Sequence, residues 1–133
     1  MRNVLVAAAL AVCLAQPALA LDKADKTMIA TVDKEAARGE ALLEKLVNVN
    51  SGTMNFKGVE EVGKMMRAEL EELGFKVTWV PMGAANRAGH IIAEHPGPKG
   101  YKGRKMLLIG HIDTVFEPSS PFQVYRKLDA TSA

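Results

Sequence analysis

The sequence predicts an α/β or α+β domain in which helices cover one sheet. Two stretches carry apolar residues every three or four positions, which is the spacing of an amphipathic helix. Three later stretches have the alternating or continuous apolar character of β-strands. The predicted order is therefore two helices followed by three strands, and no internal repeat, low-complexity tract or long linker separates them.

The first predicted helix runs from Asp22 to Val47 and should bury one stripe of its surface. This stripe contains Met28, Ile29, Val32, Ala36, Leu43, Leu46 and Val47. Turn-forming residues from Asn48 to Gly58 predict a loop, and a second helix follows. Its apolar face contains Val59, Val62, Met66, Leu70 and Leu73. Gly74 sits where a left-handed C-terminal cap is expected, so this helix should end at Leu73.

The three predicted strands differ in how deeply they should be buried. Residues Phe75 to Val80 alternate apolar and polar side chains, which indicates a half-buried strand with Trp79 packed under a helix. The second strand covers Gly89 to His95. The third, Lys105 to Gly110, is continuously apolar after its lysine, which favours a central strand buried on both faces.

Residues 1–20 have the three-part layout of a secretory signal peptide, with Arg2, an apolar run and the small-residue triplet Ala18-Leu19-Ala20. The apolar run is shorter than the roughly 20 residues that a helix needs to cross a bilayer. We therefore expect residues 21–133 to be a periplasmic or secreted domain with no membrane attachment after cleavage. The alternative of a lipoprotein signal at Cys13 is weak because bulky Val12 precedes the cysteine.

Charge and cysteine content exclude other classes. The whole chain has a formal net charge of only +2, whereas nucleic-acid binding usually requires a basic stripe, so we expect no nucleic-acid partner. Its single cysteine, Cys13, lies in the predicted signal peptide. The mature domain therefore cannot form a disulfide, and its stability must come from packing.

His111 and Asp113 are the residues most suited to chemistry. They follow the third predicted strand, where sites form in open α/β sheets, and positions two apart on an extended chain project to the same side. Imidazole is a common zinc ligand, and a neighbouring carboxylate can fix its tautomer. The alternative is that His111 and Asp113 begin a loop, in which Asp113 makes local turn hydrogen bonds.

Three other residues are weaker candidates. His90 and His95 are an odd number of positions apart and should point to opposite faces of a strand, which disfavours a shared metal ion. Ser51 has no nucleophile-elbow sequence around it, so a capping or turn role is the better interpretation.

A resemblance strengthens the metal interpretation. The segments LVNVNSGTMNFKGVEEVGKMMRAELEELGFKV, KMLLIGHIDTVF and PFQV resemble the amino-terminal part of the M20 family of zinc metallopeptidases, close to its glutamate carboxypeptidase (carboxypeptidase G) branch. The similarity runs from about Leu46 to the end. It implies an α/β fold, namely a partial mixed sheet flanked by helices that forms the N-terminal portion of a zinc-peptidase catalytic domain.

The resemblance also implies roles for individual residues. His111 would ligate one of two zinc ions, and Asp113 would be the catalytic-site carboxylate that supports it. The family's substrates are peptides or acyl-amino acids, and glutamate is the implied C-terminal residue released. In that family the remaining metal ligands and the Glu general base lie in segments beyond the similarity, and members often form homodimers through a further domain.

Two hypotheses follow for residues 21–133. The first is an N-terminal fragment of an exported zinc exopeptidase, which should bind zinc weakly and be inactive alone because a catalytic zinc needs about three protein ligands. The second is a small non-catalytic periplasmic module that binds a protein partner.

Overall fold

The computed structural model describes residues 21–129, which form two helices and a two-stranded antiparallel hairpin. The described residues divide into two compact units, residues 21–37 and 38–129. The predicted signal peptide, residues 1–20, lies outside the described part. Among residues 21–129 no helix combines the length and the apolar character that a bilayer crossing requires.

Helix α1, Lys23–Val47, confirms the first predicted helix. Asp22 and Asp25 cap its start, because the Asp25 amide donates to Asp22 Oδ1 at 2.8 Å and the Asp22 amide donates to Asp25 Oδ2 at 3.1 Å. The predicted buried stripe is wrong, since α1 buries none of its residues. Spacing along a helix defines which side chains share a face, but a covering surface must come from elsewhere in the fold.

Helix α2, Phe56–Glu72, confirms the second predicted helix but begins two residues before the end of the predicted loop. The side chain of Asn55 accepts from the Gly58 amide and caps the first turn. At the other end Gly74 adopts a φ of +84°, as predicted for a left-handed cap. The amide of Phe75 then donates to the Leu70 carbonyl at 3.0 Å, so the last turn is closed by a Schellman-type bond.

Strands β1, Lys76–Pro81, and β2, Gly89–Glu94, form the hairpin and confirm the first two predicted strands. Their register pairs Trp79 with Ile91. The indole ring of Trp79 lies over two glycines, Gly63 of α2 and Gly89 of β2, whose missing side chains leave room for it. The prediction that Trp79 packs under a helix is therefore confirmed, and α2 covers this face of the hairpin.

The third predicted strand, Lys105 to Gly110, is not formed in the structure, where residues 105–110 pair with neither β1 nor β2. Its four large apolar side chains, Met106, Leu107, Leu108 and Ile109, are 81 to 86% exposed. A strand that is apolar on both faces needs a hydrogen-bonding neighbour and two covering layers. The described residues supply neither, so the fold they form is a small mixed α/β unit rather than a helix-flanked sheet of three strands.

The contact between Trp79 and Gly89 makes a first prediction. A Cβ added at Gly89 would lie 2.4 Å from the ring carbon Cζ2 of Trp79, so Gly89→Ala should displace the indole and lower the free energy of unfolding by about 1–3 kcal/mol. Because Trp79 is the only tryptophan, its fluorescence emission should shift to longer wavelength as the ring gains solvent. Gly83→Ala is the control, since nothing lies within 4 Å of a Cβ there. Equal emission spectra for the two variants would contradict the prediction.

Candidate functional site

The loop between α1 and α2 holds the segment that carries His111 and Asp113. Gly52 and Thr114 form an isolated parallel β-bridge. The Thr114 amide donates to the Ser51 carbonyl at 2.8 Å, and the Thr53 amide donates to the Thr114 carbonyl at 3.0 Å. Two main-chain bonds therefore fix the position of Thr53 relative to Asp113.

Asp113 is held at both of its carboxylate oxygens. The hydroxyl of Thr53 donates to Oδ2 at 2.8 Å, while Nδ1 of His111 lies 3.3 Å from Oδ1. The side chain of Asp113 is 31% exposed, whereas that of His111 is 87% exposed. This arrangement orients the imidazole through Nδ1 and leaves its Nε2 directed away from the carboxylate, where it is accessible to a ligand.

The environment of Asp113 favours its charged form. The hydrogen bond from Thr53 is the largest cause that lowers the pKa of the Asp113 carboxyl below its ordinary value of 3.8. Partial burial acts in the opposite direction, and the interaction with His111 adds a smaller lowering of the pKa. A hydroxyl donor stabilises the carboxylate more than the neutral acid, which is the physical origin of the net decrease.

A pH dependence of stability follows from this lowered pKa. Since the carboxyl has a lower pKa in the folded than in the unfolded chain, its contribution to stability is present above about pH 4 and is lost as the pH falls through the folded pKa. Urea unfolding between about pH 5 and pH 2 should therefore show a shallower acid loss for Asp113→Asn than for the natural chain. Thr53→Val should also reduce the loss of stability at acidic pH, because it removes the hydrogen bond that is the main cause of the lowered Asp113 pKa. Parallel curves for all three proteins would contradict this assignment.

A network of side-chain amides also holds the loop between α1 and α2. The Nδ2 group of Asn50 donates to the Phe116 carbonyl at 2.9 Å and to Oε1 of Gln123 at 2.8 Å. Its Oδ1 accepts from Nδ2 of Asn55 at 2.9 Å. Gln123 in turn donates to the carbonyls of Glu117 and Ser120, at 3.0 and 2.8 Å. The amide network thus ties the loop to the chain on the far side of Asp113.

The structure brings some predicted residues together and separates others. His111 and Asp113 are adjacent, as their spacing predicts, and Asp113 accepts a hydrogen bond from Thr53, which is distant in the sequence. His90 is exposed on β2, and the ring of His95 packs edge-on against Phe75 with centroids 5.1 Å apart. Ser51 is 5% exposed, and its main-chain carbonyl takes part in the pairing with Thr114.

Residues 21–129 contain no group of three or more His, Cys, Asp and Glu side chains close enough to hold a metal ion. What the site offers is one accessible imidazole nitrogen and the carboxylate that orients it. A zinc ion in a protein takes about three or four ligands, so these donors could supply only part of a zinc site. The hydrogen bond from Thr53 to Asp113 was not predicted from the sequence. The two residues meet only because the backbone of residues 51–53 pairs with Thr114.

Comparison with known proteins shows that the chain is homologous to part of a carboxypeptidase. One relative is carboxypeptidase G2 of Pseudomonas sp. (strain RS-16), which is 32% identical over 113 residues, or 84% of this chain. The chain spans 26% of the length of that relative. No family model matches the chain, and no solved structure matches it. The resemblance stated from the sequence is confirmed by this homology.

Proposed function

We propose that the chain is part of an exported M20-type zinc exopeptidase that releases C-terminal residues. Glutamate is the C-terminal residue that we propose as its substrate. The homology to carboxypeptidase G2 carries this proposal, because it extends over 84% of the chain. Since the chain spans 26% of that relative, we propose that its residues form only part of the active site. These residues supply one share of the metal centre, and other segments supply its remaining ligands and the general base.

The geometry around Asp113 supports the assigned roles. In the proposal His111 is a zinc ligand through Nε2, and Asp113 holds Nδ1–H so that the correct tautomer faces the metal. Bound zinc would polarise the substrate carbonyl and lower the pKa of a water molecule. The zinc affinity of the 133 residues alone should be weak, because a single imidazole is far from a full ligand set.

The exposed apolar segment, residues 106–109, supports the proposal independently. Four consecutive large apolar side chains at more than 80% exposure are costly in water, at about 25 cal/mol for each Å² of apolar surface. We propose that in the whole enzyme these residues form an inner strand, with other strands and helices covering them. That would restore the helix-flanked mixed sheet and carry His111 to a sheet edge where a site can form.

A chimera tests the proposed function. This chain would replace the matching quarter of carboxypeptidase G2, and purified protein would be assayed for acyl-glutamate hydrolysis and for zinc content by mass spectrometry. We expect turnover, loss of at least one zinc equivalent in His111→Ala, and no change in His90→Ala, which alters an exposed histidine on β2. A folded, zinc-loaded chimera without hydrolysis would overturn the proposal. So would tight zinc binding together with turnover by the isolated 133-residue chain.

The alternative, a non-catalytic periplasmic module, makes a different prediction for Leu108. If residues 106–109 are an inner strand, Leu108→Lys should unfold the chimera and yet raise the solubility of the isolated chain, which exposes that side chain. Size-exclusion chromatography and circular dichroism would measure both effects. A chimera that tolerates Leu108→Lys would favour the independent module.

A further inference from the structure

The loop residue Thr53 contacts Asp113 but has no role so far in the proposed binding of zinc. Its hydroxyl lies 2.8 Å from Oδ2 of Asp113 and 3.2 Å from the Thr114 carbonyl. One hydroxyl hydrogen can be donated to one acceptor at a time, and the carboxylate is both closer and charged. A charge-assisted bond of this kind is about twice as strong as a neutral one, so Asp113 is the main acceptor.

The bond from Thr53 controls the orientation of the carboxylate. With Oδ2 held by Thr53, rotation about the carboxyl axis is restricted, and Oδ1 stays towards Nδ1 of His111 at 3.3 Å. The main chain cannot slide to break this geometry, because residues 51–53 pair with Thr114 on both sides of the contact. The three side chains form a relay of contacts from the loop to the imidazole.

We propose that Thr53 is a positioning residue that fixes the tautomer and direction of the His111 imidazole through Asp113. Without its hydroxyl, the carboxylate rotates, and His111 samples the tautomer that carries hydrogen on Nε2. That tautomer blocks the nitrogen needed by a metal ion. The consequence for zinc rests on the proposed function, whereas the tautomer itself is a property of this chain.

Nitrogen-15 NMR of the histidine rings in the metal-free 133-residue chain tests the proposal. The spectra would be recorded at increasing pH until the ring signals stop changing, so that they report the two tautomers of the neutral imidazole. We expect the Nδ1–H tautomer of His111 to dominate in the natural chain and in Thr53→Ser, and to give way to Nε2–H in Thr53→Val and Asp113→Asn. The signals of His90 and of the Trp79 indole should stay unchanged as a check on the fold.

The possible outcomes separate this inference from the proposed function. If Thr53→Val keeps the natural tautomer while Asp113→Asn loses it, Thr53 has no positioning role and the inference fails. If Asp113→Asn also keeps it, the orienting role of Asp113 fails and weakens the proposed site itself. Should Thr53→Val disturb the fold, Thr53→Ala against Thr53→Ser decides, since only serine retains the hydroxyl. In the chimera Thr53→Val should reduce kcat by about 10-fold or more with little change in KM, and Thr53→Ser should restore it.

Discussion

Gly58→Ala should destabilise the fold by about 3 kcal/mol, although the same change in an ordinary helix is stabilising by about 1 kcal/mol. Gly58 lies in the first turn of α2, and a Cβ there would come 1.8 Å from the Asn50 carbonyl oxygen and 2.8 Å from Nδ2 of Asn55. The carbonyl belongs to the main chain of the loop and cannot rotate away as a flexible side chain would. Relief of the clash must therefore move Asn50.

Movement of Asn50 propagates to the site, because this residue joins the loop to Phe116 and Gln123. Urea unfolding monitored by circular dichroism would measure the loss in stability, and NMR would report the environment of His111. Gly39→Ala is the matched control: it lies in α1 with nothing within 4 Å of an added Cβ, so it should raise stability by up to about 1 kcal/mol. Equal effects at the two glycines would contradict this account of the loop.

Local rules predicted the parts of the fold that neighbours in sequence determine. Gly74 ends α2 because a left-handed residue closes the Schellman bond from Phe75 to Leu70, and both partners are within six positions. The alternation around Trp79 predicted both the strand and its packing against α2. Such features depend on short-range geometry, which the residue types encode directly.

Features that depend on distant partners were harder to predict. The apolar run at residues 106–109 predicted a buried strand, yet burial requires neighbours that the described residues lack. The pair His111 and Asp113 was predictable from spacing, whereas Thr53 is 60 positions from Asp113 and only the β-bridge at Gly52 and Thr114 places it there. Likewise, no periodicity links Asn50 with Gln123. Their contact is a property of how two loops pair.

Asn50→Asp should cost about 2–3 kcal/mol although the two side chains have nearly the same shape. The substitution keeps the oxygen that accepts from Asn55 but replaces the Nδ2 donor by a second oxygen. That oxygen would face the Phe116 carbonyl and Oε1 of Gln123, two acceptors at 2.9 and 2.8 Å. Gln123 cannot correct this by rotating its amide, because its nitrogen already donates to the carbonyls of Glu117 and Ser120.

The sign of a pH effect distinguishes this explanation from a general loss of packing. Protonation of the introduced carboxyl returns one donor to the network, so the deficit relative to the natural chain should shrink under acidic conditions. Asn48→Asp is the matched control in the same loop: the oxygen of Asn48 accepts from the Tyr125 amide at 3.0 Å, and aspartate keeps that acceptor. We expect Asn48→Asp to change the free energy of unfolding by less than about 0.5 kcal/mol. Because the amide network holds the segment around Asp113, Asn50→Asp should also broaden the NMR signals of His111. Sharp, unshifted His111 signals would show that the amide network and the site are independent.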